Sequence, residues 1–228
     1  MDAEPQTTPI LFLSGAGLPE WIWDEVRSAL PVDSVVAAYP KRADATLHDY
    51  AAAALAQAPN GAFTIVGHSI GGVVASQITA TTPQRVSGLL GIAASFPPAG
   101  TSFLGASPAP QRLLLGLVLR LAGTRPPEKA IRSGLCAGLD ENVTARIVAE
   151  FEPESRYLYR DTVSPRTFPA HSGYVVTTAD PELPEALQHK HATELGPGFR
   201  RELPTGHLPM LQDPASLTKI IQEFTASA

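Results

Sequence analysis

Short apolar runs alternate with helical stretches through the first ninety residues, and this alternation restricts the fold more than any other feature of the chain. Ile10-Leu11-Phe12-Leu13 is a continuous apolar run that stops at the turn signal Ser14-Gly15-Ala16-Gly17. Runs of this length without polar alternation read as strands buried on both faces. Trp21 to Leu30 has helical spacing and is stopped by Pro31. Val35 to Ala38 is a second strand candidate, and the alanine-rich Leu47 to Ala58 a second helix, broken at Pro59-Asn60-Gly61. Phe63 to Val66, Gly71 to Thr81 and Val86 to Ala93 continue as strand, helix and strand. The pattern calls for right-handed βαβ units and a mainly parallel sheet.

After Pro97-Pro98 the regularity fails. About seventy residues hold no strand candidate, but helix candidates at Gln111 to Ala122, Glu128 to Ala137, Glu141 to Phe151 and Ser155 to Asp161. Strands are expected again at Gly173 to Thr178 and Phe199 to Leu203, with a helix at Leu187 to Leu195 between them and a last one at Pro214 to Ala226. The expected organisation is one core, residues 1–96 and 170–228, with residues 97–169 inserted as a helical cap or lid.

The net charge of −5 carries no electrostatic footprint for nucleic acid. The single cysteine, Cys136, excludes an intramolecular disulfide framework and a zinc site built from several thiolates. No apolar run approaches the roughly 20 residues needed to span a bilayer. The polar first eight residues read as a loose tail, and the acidic start Met1-Asp2-Ala3-Glu4 lacks the cationic region of a secretory signal, so a cytoplasmic protein is expected.

Gly67-His68-Ser69-Ile70-Gly71 fits G-x-S-x-G. Its context, directly after one apolar strand and directly before an apolar helix, is that of a nucleophile elbow. There a serine on a tight, strained turn projects its hydroxyl above the sheet, flanking glycines let strand and helix approach, and the helix N-terminus faces a developing oxyanion. A serine hydroxyl needs an adjacent base. His68 is next in sequence, but consecutive residues on a sharp turn do not face each other. His48 belongs to an early helix, His171 precedes a strand, and His189 and His191 point to different faces of their helix. His207 follows the last strand in a loop, where the order Ser, Asp, His places the base. Asp180 ends the preceding strand at the carboxyl edge of the sheet, with Glu182 as its nearest competitor; its role would be to accept the imidazole N–H and fix the tautomer. The backbone N–H groups of Ala16 and Ile70 are the candidate oxyanion donors. Each feature has a plainer reading as turn or packing chemistry.

With these residues in place the chain resembles the α/β-hydrolase superfamily over nearly its whole length. Ser14-Gly15-Ala16-Gly17 before Trp21-Ile22-Trp23, the elbow through Gly72, Thr178-Ala179-Asp180-Pro181-Glu182-Leu183 with Gln188 downstream, and Thr205-Gly206-His207-Leu208-Pro209 followed by Asp213-Pro214 carry the likeness. The branch most similar holds plant-type methyl esterases, hydroxynitrile lyases and small bacterial esterases. The resemblance implies an α/β fold of about six mainly parallel strands flanked by helices, because the family's opening antiparallel strands are missing. It departs from the family at Ser14, where a histidine is usual, and at Leu208, where the hydroxynitrile lyases of this branch carry a lysine.

The expected activity is that of a serine hydrolase without cofactor or metal, cleaving a small to medium apolar ester, lactone or thioester through Ser69, His207 and Asp180. The alternatives are a lyase, cyclase or carbon–carbon bond-cleaving enzyme using the same groups as acid and base, and a binding protein on the same scaffold. Ser14, Trp23 and Phe96 are candidate pocket residues; Phe103, Phe151 and Tyr157 fit a pocket and core packing equally. The apolar stretch Gln111 to Leu121 suits a buried cap helix, a lid over an acyl pocket, or a homodimer face.

Overall fold

The computed structural model describes residues 8–227 except 108, 122 and 197. Six parallel strands form a single sheet in the order β2-β1-β3-β4-β5-β6. They are β1 (Ile10–Leu13), β2 (Ser34–Val36), β3 (Phe63–His68), β4 (Val86–Ile92), β5 (Ser172–Thr177) and β6 (Phe199–Leu203). β1 shows why its run is apolar without interruption. Leu11 and Leu13 pack on one side with the helices α2 (Leu47–Gln57) and α3 (Gly71–Thr81), whereas Ile10 and Phe12 pack on the other with α11 (Pro214–Ala226). Both faces are covered, so the period-two alternation of a half-exposed strand is absent.

The helix boundaries follow local chemistry. Thr46 and Asp49 make a reciprocal capping box at the start of α2, and Asp213 caps α11 with Pro214 at its first position. Trp21 to Leu30 is shorter than the spacing suggests: a 3₁₀ turn at Glu20–Trp23 followed by α1 (Asp24–Ser28). Between β4 and β5 the chain is helical and contributes no strand among the described residues. It holds α4 (Phe103–Ala106), α5 (Ala109–Leu121), α6 (Glu128–Ala130), a π-helical turn at Ile131–Leu135, α7 (Glu141–Glu150) and α8 (Arg156–Arg160). The single helix expected over Glu128 to Ala137 is thus a short α-turn running into a π turn. Beyond β5 come α9 (Glu185–Leu195) and, before α11, the short α10 (Pro209–Gln212), a helical turn not expected from the sequence. Ala122 and the first seven residues, read as helix end and tail, lie outside the described residues. On α5 Leu119 is buried, but Leu113 and Leu117 are exposed, so that helix is not wholly packed against the core. No described helix is long and apolar enough to cross a membrane.

Register decides where the loops emerge. Leu13 pairs with Gly67, and Thr177 with Leu203. The loops after β1, β3, β5 and β6 therefore leave the same carboxyl edge, where ligands bind in open α/β sheets.

Candidate active site

Ser69 stands between β3 and α3 with φ at 54°, a left-handed conformation that costs a non-glycine residue of order 1–3 kcal/mol. The turn is held by the surrounding backbone: Ser69 N–H donates to Ile92 O, and Ser69 O accepts from Ser95 and Gly72 N–H groups. Gly71 is required by close approach, since a Cβ there would collide with the Leu13 carbonyl. Gly67, expected to serve the same purpose, is different: a Cβ there would be 3.4 Å from its nearest neighbours, an ordinary contact.

His207 Nε2 lies 3.0 Å from Ser69 Oγ, and His207 Nδ1 lies 2.7 Å from Asp180 Oδ2. The short Nδ1 contact to a carboxylate assigns the imidazole proton to Nδ1 and leaves Nε2 as the acceptor facing the serine. Asp180 is buried, and its oxygens are saturated. Oδ1 accepts from the Glu182 and Leu183 N–H groups at 2.8 and 3.0 Å, and Oδ2 also accepts from the Thr177 hydroxyl at 3.0 Å. Burial alone would raise the carboxyl; the hydrogen bond and charge of His207, with the Leu183 N–H and the Thr177 hydroxyl, outweigh it and hold Asp180 below its ordinary value. Glu182 reaches this site through its backbone, while its side chain lies against Gly134 of the π turn.

Two further side chains support these loops. Gln188 accepts from Thr177 N–H and donates to Thr177 O and Leu183 O, closing the acid loop. Gln212 accepts from Gly206 N–H and donates to Ala137 O, tying the histidine loop to the inserted helical segment. His68 matters although it does not face Ser69. It is fully buried, its Nε2–H donates to His207 O at 2.8 Å, and burial first, then the nearby His207, lowers its pKa to about 3. The elbow thereby grips the backbone of the residue that approaches its own serine. His189 and His191 separate as expected: His191 is buried against Phe96 and Ser95, and His189 faces outward.

The loop after β1 lies against the elbow: a Cβ on Gly15 would come within 3.0 Å of Ser69 Cβ. Among the described residues the N–H groups of Ala16 and Ile70 have no protein acceptor. Ser14 is buried, and its Oγ accepts from the Trp23 indole N–H at 3.0 Å. Trp23 itself is enclosed between Phe12 and His68. Phe96 is equally enclosed, packed on Phe168 and Tyr174. Both rings are thus core beneath the site rather than walls of an open pocket, because the close-packed side chains around them leave no exposed face. Phe151 is buried as well, whereas Tyr157 borders a groove of about 1230 Å³ together with Trp21, Tyr39 and Lys41. That groove reaches the loop after β1 at Ser14 and Gly17, and none of Ser69, Asp180 and His207 lines it. Among the described residues no group of three or more His, Cys, Asp or Glu side chains is placed to hold a metal ion.

No curated protein matches the chain by sequence. Among solved structures the chain is similar to an extracellular alpha/beta-hydrolase from a Paenibacillus species, described as sharing structural and functional homology with tobacco salicylic acid binding protein 2. The TM-score is 0.81 at 17% identity, covering 95% of this chain and 98% of that one. It is similar to a methylesterase from Arabidopsis, with TM-score 0.77, 15% identity and coverage of 97% and 100%. It is also similar to a pyrethroid hydrolase from Sphingobium faniae JZ-2, with TM-score 0.72, 21% identity and coverage of 96% and 98%. These likenesses show the fold. The alpha/beta hydrolase family model matches residues 10–219, all six strands included, and the chain is therefore an enzyme of the alpha/beta hydrolase family.

Proposed function

We propose that the protein is a serine hydrolase that cleaves a small to medium apolar carboxylic ester, lactone or thioester without a cofactor. The observation that carries this reading is the unbroken line Ser69 Oγ, His207 Nε2, His207 Nδ1, Asp180 Oδ2, with steps of 3.0 and 2.7 Å, ending on a serine held at positive φ. In this reading Ser69 Oγ attacks the carbonyl carbon while His207 Nε2 takes its proton. Asp180 stabilises the imidazolium, and the proton passes to the leaving oxygen or sulfur as the acyl-enzyme forms. Water, deprotonated by the same Nε2, then releases the acid. The Ala16 and Ile70 N–H groups bind the oxyanion in both steps, the second reinforced by the N-terminus of α3. Residues 97–169 act as a cap over the site. The substrate is a small molecule, and the setting is the cytoplasm.

The names methylesterase and pyrethroid hydrolase, carried by structural neighbours, denote ester cleavage and hydrolysis respectively and agree with this reading. A Ser14 hydroxyl free in the site, where a histidine is usual in the family, would support the lyase or cyclase alternative. That support weakens, because the hydroxyl is buried and holds Trp23. A fluorophosphonate probe, read by intact mass and peptide mapping, tests the proposal. One adduct on Ser69, absent from Ser69→Ala, is the expected result; folded protein that takes up no adduct at Ser69 contradicts it.

A further inference from the structure

The loop Ser14 to Gly17 is held almost entirely by residues distant in sequence. Ser14 O accepts from the Tyr39 hydroxyl at 3.1 Å, and Ser14 Oγ from Trp23. Gly15 O accepts from Leu18 N–H at 3.4 Å, a long bond that closes the turn only weakly. At Gly17 the inserted segment takes over. Gly17 N–H donates to Glu154 Oε1 at 3.1 Å, and Gly17 O accepts from Glu152 N–H at 3.2 Å. The Phe151 ring lies where a Gly17 Cβ would be, and Gly17 has φ of 71°, a conformation in which glycine carries no steric penalty. The stretch Phe151 to Glu154 thus holds Gly17 on three sides.

Glu154 is itself fixed. Its Oε2 accepts from the Tyr50 hydroxyl at 2.8 Å, and that hydroxyl accepts from Ser155 N–H at 2.8 Å. The Tyr50 ring meets Tyr39 edge-on at 5.3 Å. Glu154, Tyr50 and Tyr39 therefore connect the two ends of the loop, Gly17 N–H and Ser14 O. Between those ends the Ala16 N–H has no protein acceptor among the described residues. The Gly17 N–H shares a rigid peptide plane with the Ala16 carbonyl, so anchoring it at Glu154 fixes one of the two peptide planes that flank the Ala16 Cα and restrains the other, which carries the Ala16 amide.

We propose that Glu154, supplied by the helical segment between β4 and β5, is a positioning residue for the oxyanion loop, acting through the Gly17 N–H to hold the Ala16 amide toward Ser69. The proposal rests on the serine hydrolase reading. It also makes the inserted segment part of the catalytic frame rather than a cover only.

The test compares wild type with Glu154→Ala and Glu154→Gln. Glutamine keeps a carbonyl oxygen that can accept from Gly17 N–H, and alanine does not. In Glu154→Ala, kcat per titrated active site on a p-nitrophenyl ester is expected to fall about 10–100-fold with KM within about twofold, since displaced oxyanion donors cost rate rather than ground-state binding. A boronic acid inhibitor, which places an oxyanion in the same position, should weaken by a similar factor, and Glu154→Gln should recover most of both losses. Equal kcat and equal inhibitor affinity in folded Glu154→Ala overturn the proposal. Amide hydrogen exchange over residues 15–18 provides a readout independent of activity. Faster exchange in Glu154→Ala than in Glu154→Gln and wild type is expected, and equal exchange in all three overturns the clamp. If wild type takes no adduct at Ser69 while exchange still responds to Glu154→Ala, the serine hydrolase reading and the oxyanion role fail, and the loop clamp alone stands.

Discussion

The elbow after β3 and the loop after β1 face the same serine, yet they are stabilised in opposite ways. The elbow is local. Its strain at Ser69, its backbone bonds to the ends of neighbouring strands and its close passage at Gly71 all lie within a few residues of the strand-to-helix turn or against the adjacent strand ends. The loop after β1 is assembled from afar, by Trp23, Tyr39, Glu152 and Glu154, the last of them 137 residues away from Gly17. A turn fixed by sterics tolerates almost no change in its own residues. A turn fixed by distant side chains is sensitive wherever those side chains are altered.

The largest effect that would test this contrast is at the elbow. Gly71→Ala places a methyl group into the Leu13 carbonyl, and neither backbone can retreat without displacing β1 or α3. A loss of about 3 kcal/mol or more is expected, a large share of the roughly 5–15 kcal/mol that stabilises a native domain, and urea denaturation would measure it. Gly67→Ala is the control within the same motif. Its Cβ meets only ordinary contacts, so it should stay within about 1 kcal/mol of wild type, the glycine's share of chain entropy included. Equal losses at both positions would show that the elbow is not governed by steric approach at Gly71.

This contrast also explains what was legible in the sequence. The six strands, their parallel direction and the helices α3 and α11 could be read because apolar periodicity and turn residues are local signals. So could the placement of Ser69, Asp180 and His207, because each follows a strand at one edge of the sheet. Gln188 is partly legible through its place downstream of the acid loop. Glu154 and Gln212 carried no such signal. One is a glutamate among several in an irregular helical segment and the other a glutamine in a short helix, and only tertiary packing brings them to Gly17 and Gly206. That Trp23 and Phe96 are buried was illegible for the same reason, since an aromatic beside a site loop looks the same in sequence whether it points outward or into the core.

An intermediate effect concerns acid. His68 has its pKa lowered to about 3 by burial and by His207, so in the folded state it remains neutral where an unfolded histidine binds a proton. Its contribution to stability is therefore complete above pH 6.5 and declines as the pH falls from 6.5 towards 3, by about 1.4 kcal/mol per pH unit for one proton. His191, also lowered by burial, adds the same sign. His68→Gln retains a side-chain N–H that can reach His207 O and removes the titration. Denaturation curves between pH 7 and 5 should lose part of their slope in that variant. An unchanged slope would mean that His68 is protonated or hydrated in the folded protein, and that the elbow does not hold His207 through a neutral imidazole.

The smallest effect separates packing from chemistry in the distant-held loop. Ser14→Ala removes the acceptor of the Trp23 indole N–H, which is then left buried and unpaired at a cost of about 1–3 kcal/mol. The Ser14 carbonyl keeps its bond from Tyr39, and Gly17 keeps its clamp, so the loop's backbone should stay in place. The expected outcome is a lower melting temperature with kcat per titrated active site within about threefold of wild type. A collapse of kcat with the melting temperature unchanged would mean that the Ser14 hydroxyl takes part in the reaction, and would restore the lyase or cyclase reading that its burial argues against. Retained stability and retained kcat together would show that Trp23 finds another partner and that the loop does not depend on the Ser14 hydroxyl.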